Sequence, residues 1–181
     1  IVNQFVNSIC MRFTPEKSTD CETICPIEIL DYIYAVLFSN KYRKAYLDFL
    51  KFDFPRIPYP HNADYFKTMV AYGKRLRELH VSENDEFDPR YSYAGGPDCF
   101  IEKTAYKNDS IILNKKNDRI SGVPENIWNM YFGGYQPLQK WLKDRKGNTV
   151  TISDINHYQS IITTLVATNE IMQQIDEVIE F

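Results

Sequence analysis

The segment from Thr151 to Phe181 constrains the fold more than any other part of the chain, because its pattern can be satisfied only by one long helix. Apolar residues recur there at spacings of three, four or seven positions: Ile155, Tyr158, Ile162, Leu165, Met172, Ile175 and Ile179. The Thr151 hydroxyl can cap the first turn, and Asp154 three positions later completes a capping box. The pattern predicts an amphipathic helix of roughly 28 residues, long enough to cross a whole domain. Its expected role is that of a packing strut, or of a contact with the rest of a longer chain.

The N-terminal part is predicted to be helical after an irregular segment over residues 1–25. Helices are predicted, from apolar residues at helical spacing, over Pro26–Ser39, Lys41–Lys51 and Asn62–His80. Three prolines separate the second helix from the third: Pro55, Pro58 and Pro60. Because each proline fixes φ and removes a hydrogen-bond donor, residues 54–60 are predicted to be a stiff connector from which Arg56 projects.

The middle of the chain has the pattern of short strands. Residues 81–98 carry prolines and glycines and are predicted to be a loop. Extended segments are then predicted over Cys99–Tyr106, Ser110–Asn114 and Arg119–Val123. Asn108–Asp109 and Lys115–Asp118 lie between them and have the composition of hairpin turns, so an antiparallel β-meander is expected over residues 98–123.

The remaining helices complete an α+β fold. A short helix is predicted from Pro124 to the pair Gly133–Gly134, and another over Leu138–Arg145, ended by Gly147. The predicted architecture is N-terminal helices, a small antiparallel β-meander and a long C-terminal amphipathic helix. We expect a single domain over residues 26–181, with a helical part at 26–80, the meander at 98–123 and a second helical part at 124–181.

Length and composition bound the class of protein. With 181 residues, of which 44% are hydrophobic, the chain can bury one domain core. No apolar run is long enough to cross a membrane, and no signal peptide is evident, so the expected compartment is the cytoplasm. The chain begins with Ile1 rather than Met, which suggests that it was cut from something longer or trimmed during processing.

The cysteines and histidines do not predict a metal site. Cys21 and Cys25 lie at the edge of zinc-ligand spacing, but none of the three histidines repeats at ligand spacing. Reduced thiols are therefore expected.

Charge is distributed unevenly along the chain. Residues 40–58 carry five basic against two acidic side chains, a net of +3, and residues 135–147 carry four against one, also a net of +3. Residues 151–181 carry five acidic side chains and no Lys or Arg. Basic segments are what phosphate contact requires, although a solvated helix face has the same composition.

Four blocks of sequence carry a resemblance to a known family: Asp31–Leu37, Asp53–Pro58, Gly133–Gly147 and Asp154–Gln159. Together they resemble the C-terminal specificity region of single-chain bacterial restriction–modification enzymes of type ISP and type IIG. In that family a helicase or nuclease part and an N6-adenine methyltransferase precede a target-recognition region, which reads the DNA sequence for both activities. The resemblance implies two partners for this chain, double-stranded DNA and the methyltransferase domain of the same parent chain.

The chain lacks the motifs of the parent's chemistry. It has neither the Asn-Pro-Pro-aromatic segment of adenine methyltransferases nor the phosphate-cradling Gly-x4-Gly-Lys-Ser/Thr of helicases. Pro97–Asp98 and Glu102–Lys103 depart from the spacing of a metal-dependent nuclease and are predicted to be a turn running into a strand. The resemblance implies a non-catalytic fragment without a cofactor. The resemblance implies that S-adenosylmethionine is a cofactor of the parent enzyme, and ATP and Mg²⁺ are further candidate cofactors of that enzyme.

Two sets of residues are candidates for DNA contact. The meander and its turns offer side chains that can bond base edges: Asn108, Asn114, Lys115, Lys116, Asn117 and Arg119. The basic segments offer phosphate contacts: Arg56, Lys140, Lys143, Arg145 and Lys146. Polar hairpin turns and a solvated helix face are the alternatives for these sets. The alternative function is a docking module that binds the rest of the parent enzyme and contacts DNA little.

Overall fold

The computed structural model describes residues 6, 8–16, 20, 22–82 and 86–181. Its elements in chain order are β1 (Arg12–Phe13), β2 (Thr23–Ile24), α1 (Pro26–Phe38), α2 (Asn40–Ala45), a 3₁₀ turn (Phe49–Lys51), α3 (Ala63–Val81), β3 (Tyr93–Ala94), β4 (Asp98–Phe100), β5 (Ala105–Lys107), β6 (Ser110–Ile112), β7 (Arg119–Ser121), α4 (Glu125–Trp128), α5 (Pro137–Asp144), β8 (Thr149–Thr151) and α6 (Ile152–Val178). The predicted α+β class is confirmed, including its antiparallel meander and its long C-terminal helix. No helix in the described ranges is long and apolar enough to span a membrane.

The elements form two compact units. The first comprises Ile1–Ser82 with Thr168–Phe181, and the second comprises Glu83–Ala167. Of the predicted segments, 26–80 lies in the first unit and 98–123 in the second, whereas 124–181 is divided between them.

The long helix α6 begins at the predicted capping box. The Thr151 hydroxyl lies 2.7 Å from Asp154 Oδ2, and the Asp154 N–H donates to Thr151 Oγ1 over 3.3 Å. The backbone N–H and hydroxyl of Thr151 hold the pKa of Asp154 below its usual value. The predicted apolar face is buried: the core of the second unit contains Ile155, Tyr158, Ile162 and Leu165, that of the first contains Ile175 and Ile179, and Met172 is buried as well.

The first unit is built on the packing of α1 against α3. The Asn62 side chain caps α3 by accepting from the Tyr65 N–H over 2.8 Å, and Pro26 begins α1 as predicted. The helix predicted over Lys41–Lys51 is shorter than expected: α2 ends at Ala45, and only a 3₁₀ turn follows. Leu47 and Phe49 are exposed, so no buried apolar face sustains a longer helix.

The N-terminal segment contains a strand pair that the sequence did not predict. β1 and β2 pair in parallel, with Arg12 opposite Thr23. Two-residue strands are too short to show the alternating pattern from which strands are predicted. The rest of this segment is described only in part.

The predicted meander is present in the second unit with two changes, and the first is that it gains β3, which lies in the segment 81–98 predicted to be a loop. Its strand order is β3-β7-β6-β5, all antiparallel. The first predicted strand, Cys99–Tyr106, is wrong as a single element, because β4 pairs with β8 instead and only β5 joins the meander. Two further hydrogen bonds extend the pairing of β4 with β8. The Ile101 N–H donates to the Asn148 carbonyl, and the Gly147 N–H donates to the Ile101 carbonyl.

The glycine pair has a different role from the predicted one. Helix α4 ends at Trp128, and Gly133, with φ +58°, lies instead in a tight turn closed by the bond from the Phe132 N–H to the Tyr135 carbonyl, 3.0 Å. The predicted helix after the turn is confirmed as α5. Its apolar face is buried: Leu138, Trp141 and Leu142.

Candidate nucleic-acid interface

The β5–β6 turn positions Asn108 in solvent. Asn108 and Asp109 have φ of 49° and 50° and form a two-residue hairpin loop between the paired Lys107 and Ser110. Both central residues of such a loop need positive φ, which Asn and Asp tolerate better than most side chains. Asn108 therefore serves the turn through its backbone and leaves its side chain exposed.

The β6–β7 loop is held by Asn114. Its amide donates to Asp118 Oδ2 over 2.7 Å and its carbonyl oxygen accepts from the Asp118 N–H over 3.1 Å. Asn114 is only 4% exposed. A base contact would break these bonds, so the geometry assigns Asn114 to holding the loop. Its side chain is not accessible to a base, which argues against the predicted role in base reading.

The tip of the same loop is exposed. Lys115 Nζ lies 3.1 Å from Glu102 Oε2, an ion pair that lowers the pKa of Glu102. Lys116 and Asn117 are exposed, and Lys116 lines a groove of about 370 Å³ together with Asp98 and other residues. Arg119 follows at the half-buried start of β7.

The structure divides the predicted base-reading residues between two ends of β6. Lys115, Lys116, Asn117 and Arg119 lie at the end where β6 leads into β7, and we call this set the loop tip. Asn108 lies at the other end of the three-residue strand, about 10 Å away at the usual rise per residue. The loop tip is therefore the larger candidate surface.

The basic helix α5 and the turn after it present lysines of two kinds. Lys140 Nζ forms an ion pair with Asp144 one turn along the helix. Lys143 and Lys146 are exposed and form no ion pair with any described residue. Two uncompensated cations therefore lie close together in sequence on this surface.

Arg145 is part of the core packing rather than of the open surface. Its guanidinium carbon lies 3.8 Å from the centre of the Trp141 ring, whose other neighbour is Tyr158, stacked at 4.4 Å. Its Nη1 also donates to the Trp141 carbonyl over 3.4 Å. This stacking keeps Arg145 half-buried and stabilises the position of Trp141.

The lysines border a groove in the second unit, which we call the lysine groove. Its volume is about 490 Å³, and it is lined by Thr104, Trp128, Tyr135, Gln136, Gln139, Lys140, Leu142, Lys143 and Lys146. Sequence reasoning identified the lysines but not the aromatic and amide side chains. The signal for them was the pair Tyr135–Gln136, which directly follows the two glycines and precedes the basic cluster.

Arg56 lies in the first unit. Its guanidinium is 3.6 Å from Asp53 and its Cζ is 5.8 Å from the centre of the Phe49 ring. It projects from the proline-rich connector and is exposed, as predicted. Its charge is partly compensated by Asp53.

The residues considered as metal ligands are dispersed. Cys21 lies outside the described residues, Cys25 is buried at the start of α1, and Cys99 is buried in β4, where burial raises the pKa of its thiol. The described ranges contain no group of three His, Cys, Asp or Glu side chains able to hold a metal ion.

The fold is similar to parts of three solved structures. One is a nuclease-deletion mutant of the Type ISP restriction-modification enzyme LlaGI in complex with a DNA substrate mimic, at 26% identity and a TM-score of 0.59 over 84% of this chain. Another is the ATP-dependent Type ISP restriction-modification enzyme LlaBIII bound to DNA, at 24% identity and a TM-score of 0.62 over 85% of this chain. The third is a DrdV–DNA complex, at 22% identity and a TM-score of 0.63 over 82% of this chain.

The proteins in these three structures are much longer than this chain. The chain spans 14%, 11% and 18% of their respective lengths. A search of curated protein sequences gave no match. The sequence does match the family described as the Type ISP C-terminal specificity domain, over residues 3–174, which confirms the type ISP resemblance predicted from the four sequence blocks. The chain therefore belongs to the Type ISP C-terminal specificity domain family.

Proposed function

We propose that this chain binds double-stranded DNA sequence-specifically and selects the target for a restriction–modification enzyme. The observation that carries the proposal is the lysine groove, where Lys143 and Lys146 have no acidic partner among the described residues. Unpaired lysines beside a groove can neutralise phosphates and release counterions, which supplies much of the affinity for DNA. The DNA present in the three similar structures supports the same partner.

The lysine groove and the loop tip would bind different parts of the DNA. Lys143 and Lys146, with Lys140 beside them, contact phosphates, because phosphate contacts fix the position of a protein on the duplex without reading its sequence. Lys115, Lys116, Asn117 and Arg119 form bonds to base edges in the major groove. Both surfaces belong to the second unit. Asn108 and Arg56 are further candidate contacts, and Arg145 contributes its positive charge while it packs on Trp141.

The chemistry belongs to the parent enzyme under this proposal. A specificity domain is a recognition module, and an N6-adenine methyltransferase with restriction activity would lie elsewhere in the parent chain. That methyltransferase would use S-adenosylmethionine, and any ATP and Mg²⁺ would be bound outside this region. It would act in the bacterial cytoplasm, where its DNA substrate is found.

Charge removal at the lysine groove tests the phosphate contacts. The double variant Lys143→Gln, Lys146→Gln should weaken binding of the chain to every duplex by about tenfold at moderate salt. The slope of log K against log salt should become shallower by about 1.8, or 0.9 for each lost contact. Fluorescence anisotropy with duplexes of different sequence over a range of salt concentrations measures both quantities.

Lys67→Gln is the matched control, since it removes an exposed lysine from α3 in the first unit. Its salt slope should equal that of the wild type. An effect of the groove variant confined to one target sequence would contradict a role in phosphate contact.

Alanine at the loop tip tests base reading. The variant Lys115→Ala, Lys116→Ala, Arg119→Ala should relax the target choice of the intact parent enzyme, by about 1–3 kcal/mol for each good base contact that is lost. Methylation of a library of duplexes, followed by sequencing of the modified sites, reports the preference. Lys107→Ala is the control at the other end of β6, because it removes an exposed lysine whose backbone pairs with Ser110 there. Unchanged affinity and unchanged target choice would rule out the loop tip.

The docking module predicted as the alternative is favoured by one observation in the first unit. Phe52 and Phe54 are each 89% exposed, which is unusual for large apolar side chains. Such residues are typical of protein contacts. If the chain binds no duplex in a salt-sensitive manner, docking onto the rest of the parent enzyme becomes the better assignment.

A further inference from the structure

We infer that the lysine groove binds a single unstacked nucleotide, by its base as well as by its phosphate. The groove brings together aromatic surface, amide oxygens and cations within about 490 Å³. That volume lies in the range of small-molecule sites, about 300–1,000 Å³, and suits one nucleotide rather than a duplex. Where the nucleotide belongs to a DNA target, the inference rests on the proposed function.

The aromatic surface comes from Trp128 and Tyr135. The Trp128 ring is stacked on Tyr106, with centroids 5.7 Å apart and planes 13° apart, and remains half-buried where it borders the groove. Tyr135 is 54% exposed and is held by the glycine turn through the bond between its carbonyl and the Phe132 N–H. Exposed aromatic side chains are the platforms on which proteins stack unpaired bases.

Two amides lining the groove are oriented by the backbone at the C-terminal end of α4. Gln136 Nε2 donates to the Asn129 carbonyl and Gln139 Nε2 to the Trp128 carbonyl, each over 3.3 Å. These bonds leave each Oε1 without a donor among the described residues. A fixed amide oxygen accepts from an exocyclic amino group, which adenine, cytosine and guanine carry and thymine lacks. The groove should therefore prefer amino-bearing bases.

The cations distinguish a nucleotide from a free base. Lys143 and Lys146 line the groove without acidic partners in the described part of the chain, whereas Lys140 is paired with Asp144. A phosphate attached to the stacked base would take up the two unpaired charges. A base taken out of a duplex loses its pairing and stacking there, and stacking and amide bonds in the groove would offset that loss.

Tryptophan fluorescence tests the site without DNA. The chain has two tryptophans, of which Trp128 borders the groove and Trp141 is buried under Arg145. Titration with dAMP should quench the fluorescence saturably, dTMP should bind several-fold more weakly, and inorganic phosphate should cause no quenching. Trp128→Phe should abolish the signal, and Gln136→Ala with Gln139→Ala should remove the preference for dAMP. Absence of saturable quenching by dAMP, or equal competition by phosphate alone, would overturn the inference.

A second experiment distinguishes a nucleotide within DNA from a free nucleotide as the ligand. A duplex with one bulged adenosine should bind about tenfold more tightly than the fully paired duplex, and dAMP should compete away only this gain. Equal affinity for the two duplexes, with salt-sensitive binding retained, would refute capture from DNA and leave the proposed function standing. Saturable dAMP binding without any duplex binding would refute the proposed function instead and identify a free nucleotide as the ligand.

Discussion

Replacement of Gly73 by alanine is expected to destabilise the first unit by about 4 kcal/mol or more, which is exceptional for the addition of one methyl group. A Cβ at this position of α3 would overlap the carbonyl oxygen of Asp31 in α1 and lie 2.5 Å from its carbonyl carbon. Backbone atoms cannot rotate out of the way, so the two helices would have to move apart. Fully buried side chains such as Tyr32 and Met69 would then lose their packing.

The sign of the effect makes this test sharp. In an ordinary helix interior a glycine-to-alanine change stabilises by about 1 kcal/mol, because alanine has the higher helix propensity. Urea unfolding followed by circular dichroism would measure the loss. Gly134→Ala is the matched control, since a Cβ there meets nothing within 4 Å. A Gly73→Ala protein at least as stable as the wild type would contradict the close helix crossing.

The helix boundaries could be predicted where local chemistry sets them. Pro26, Asn62 and Thr151 each begin a helix by a mechanism that acts within four residues, and the structure bears out all three. The close crossing at Gly73 could not be predicted, because it depends on Asp31, forty-two positions earlier in the chain. The end of α2 depends likewise on tertiary burial, which Leu47 and Phe49 do not find.

The candidate site shows the same division between local and long-range information. The basic residues Lys143 and Lys146 could be picked from sequence, because charge is a property of the residue itself. In the sequence, Asn114 and Lys116 are both polar residues of a predicted turn. Only the structure shows that Asn114 holds the loop through its bonds to Asp118, whereas Lys116 is exposed. The lysine groove itself required the glycine turn to bring Tyr135 beside α5.

The substitution Arg77→Met is expected to lower the free energy of unfolding by about 3–5 kcal/mol, because removal of the guanidinium leaves the Asp31 carboxylate buried without a counter-charge. Arg77 Nε donates to Asp31 Oδ1 over 2.6 Å and Nη2 to Oδ2 over 3.1 Å. The side chain of Asp31 is only 3% exposed, so water cannot replace the guanidinium. Denaturant unfolding of the variant and of the wild type would give the difference.

The double variant Asp31→Leu, Arg77→Met separates the value of the ion pair from the cost of stranding one charge. Removing both charges should recover most of the stability, since a buried pair exchanged for apolar side chains is often nearly neutral. Asp31 opens one of the four blocks that identified the family, yet its partner Arg77 lies within the first unit and away from the lysine groove and the loop tip in sequence. Near-complete recovery would show that the cost of Arg77→Met is that of a buried charge without a partner, and that the pair itself adds little net stability. A double variant as unstable as Arg77→Met would contradict this account and place the cost in lost packing of the Arg77 stem instead.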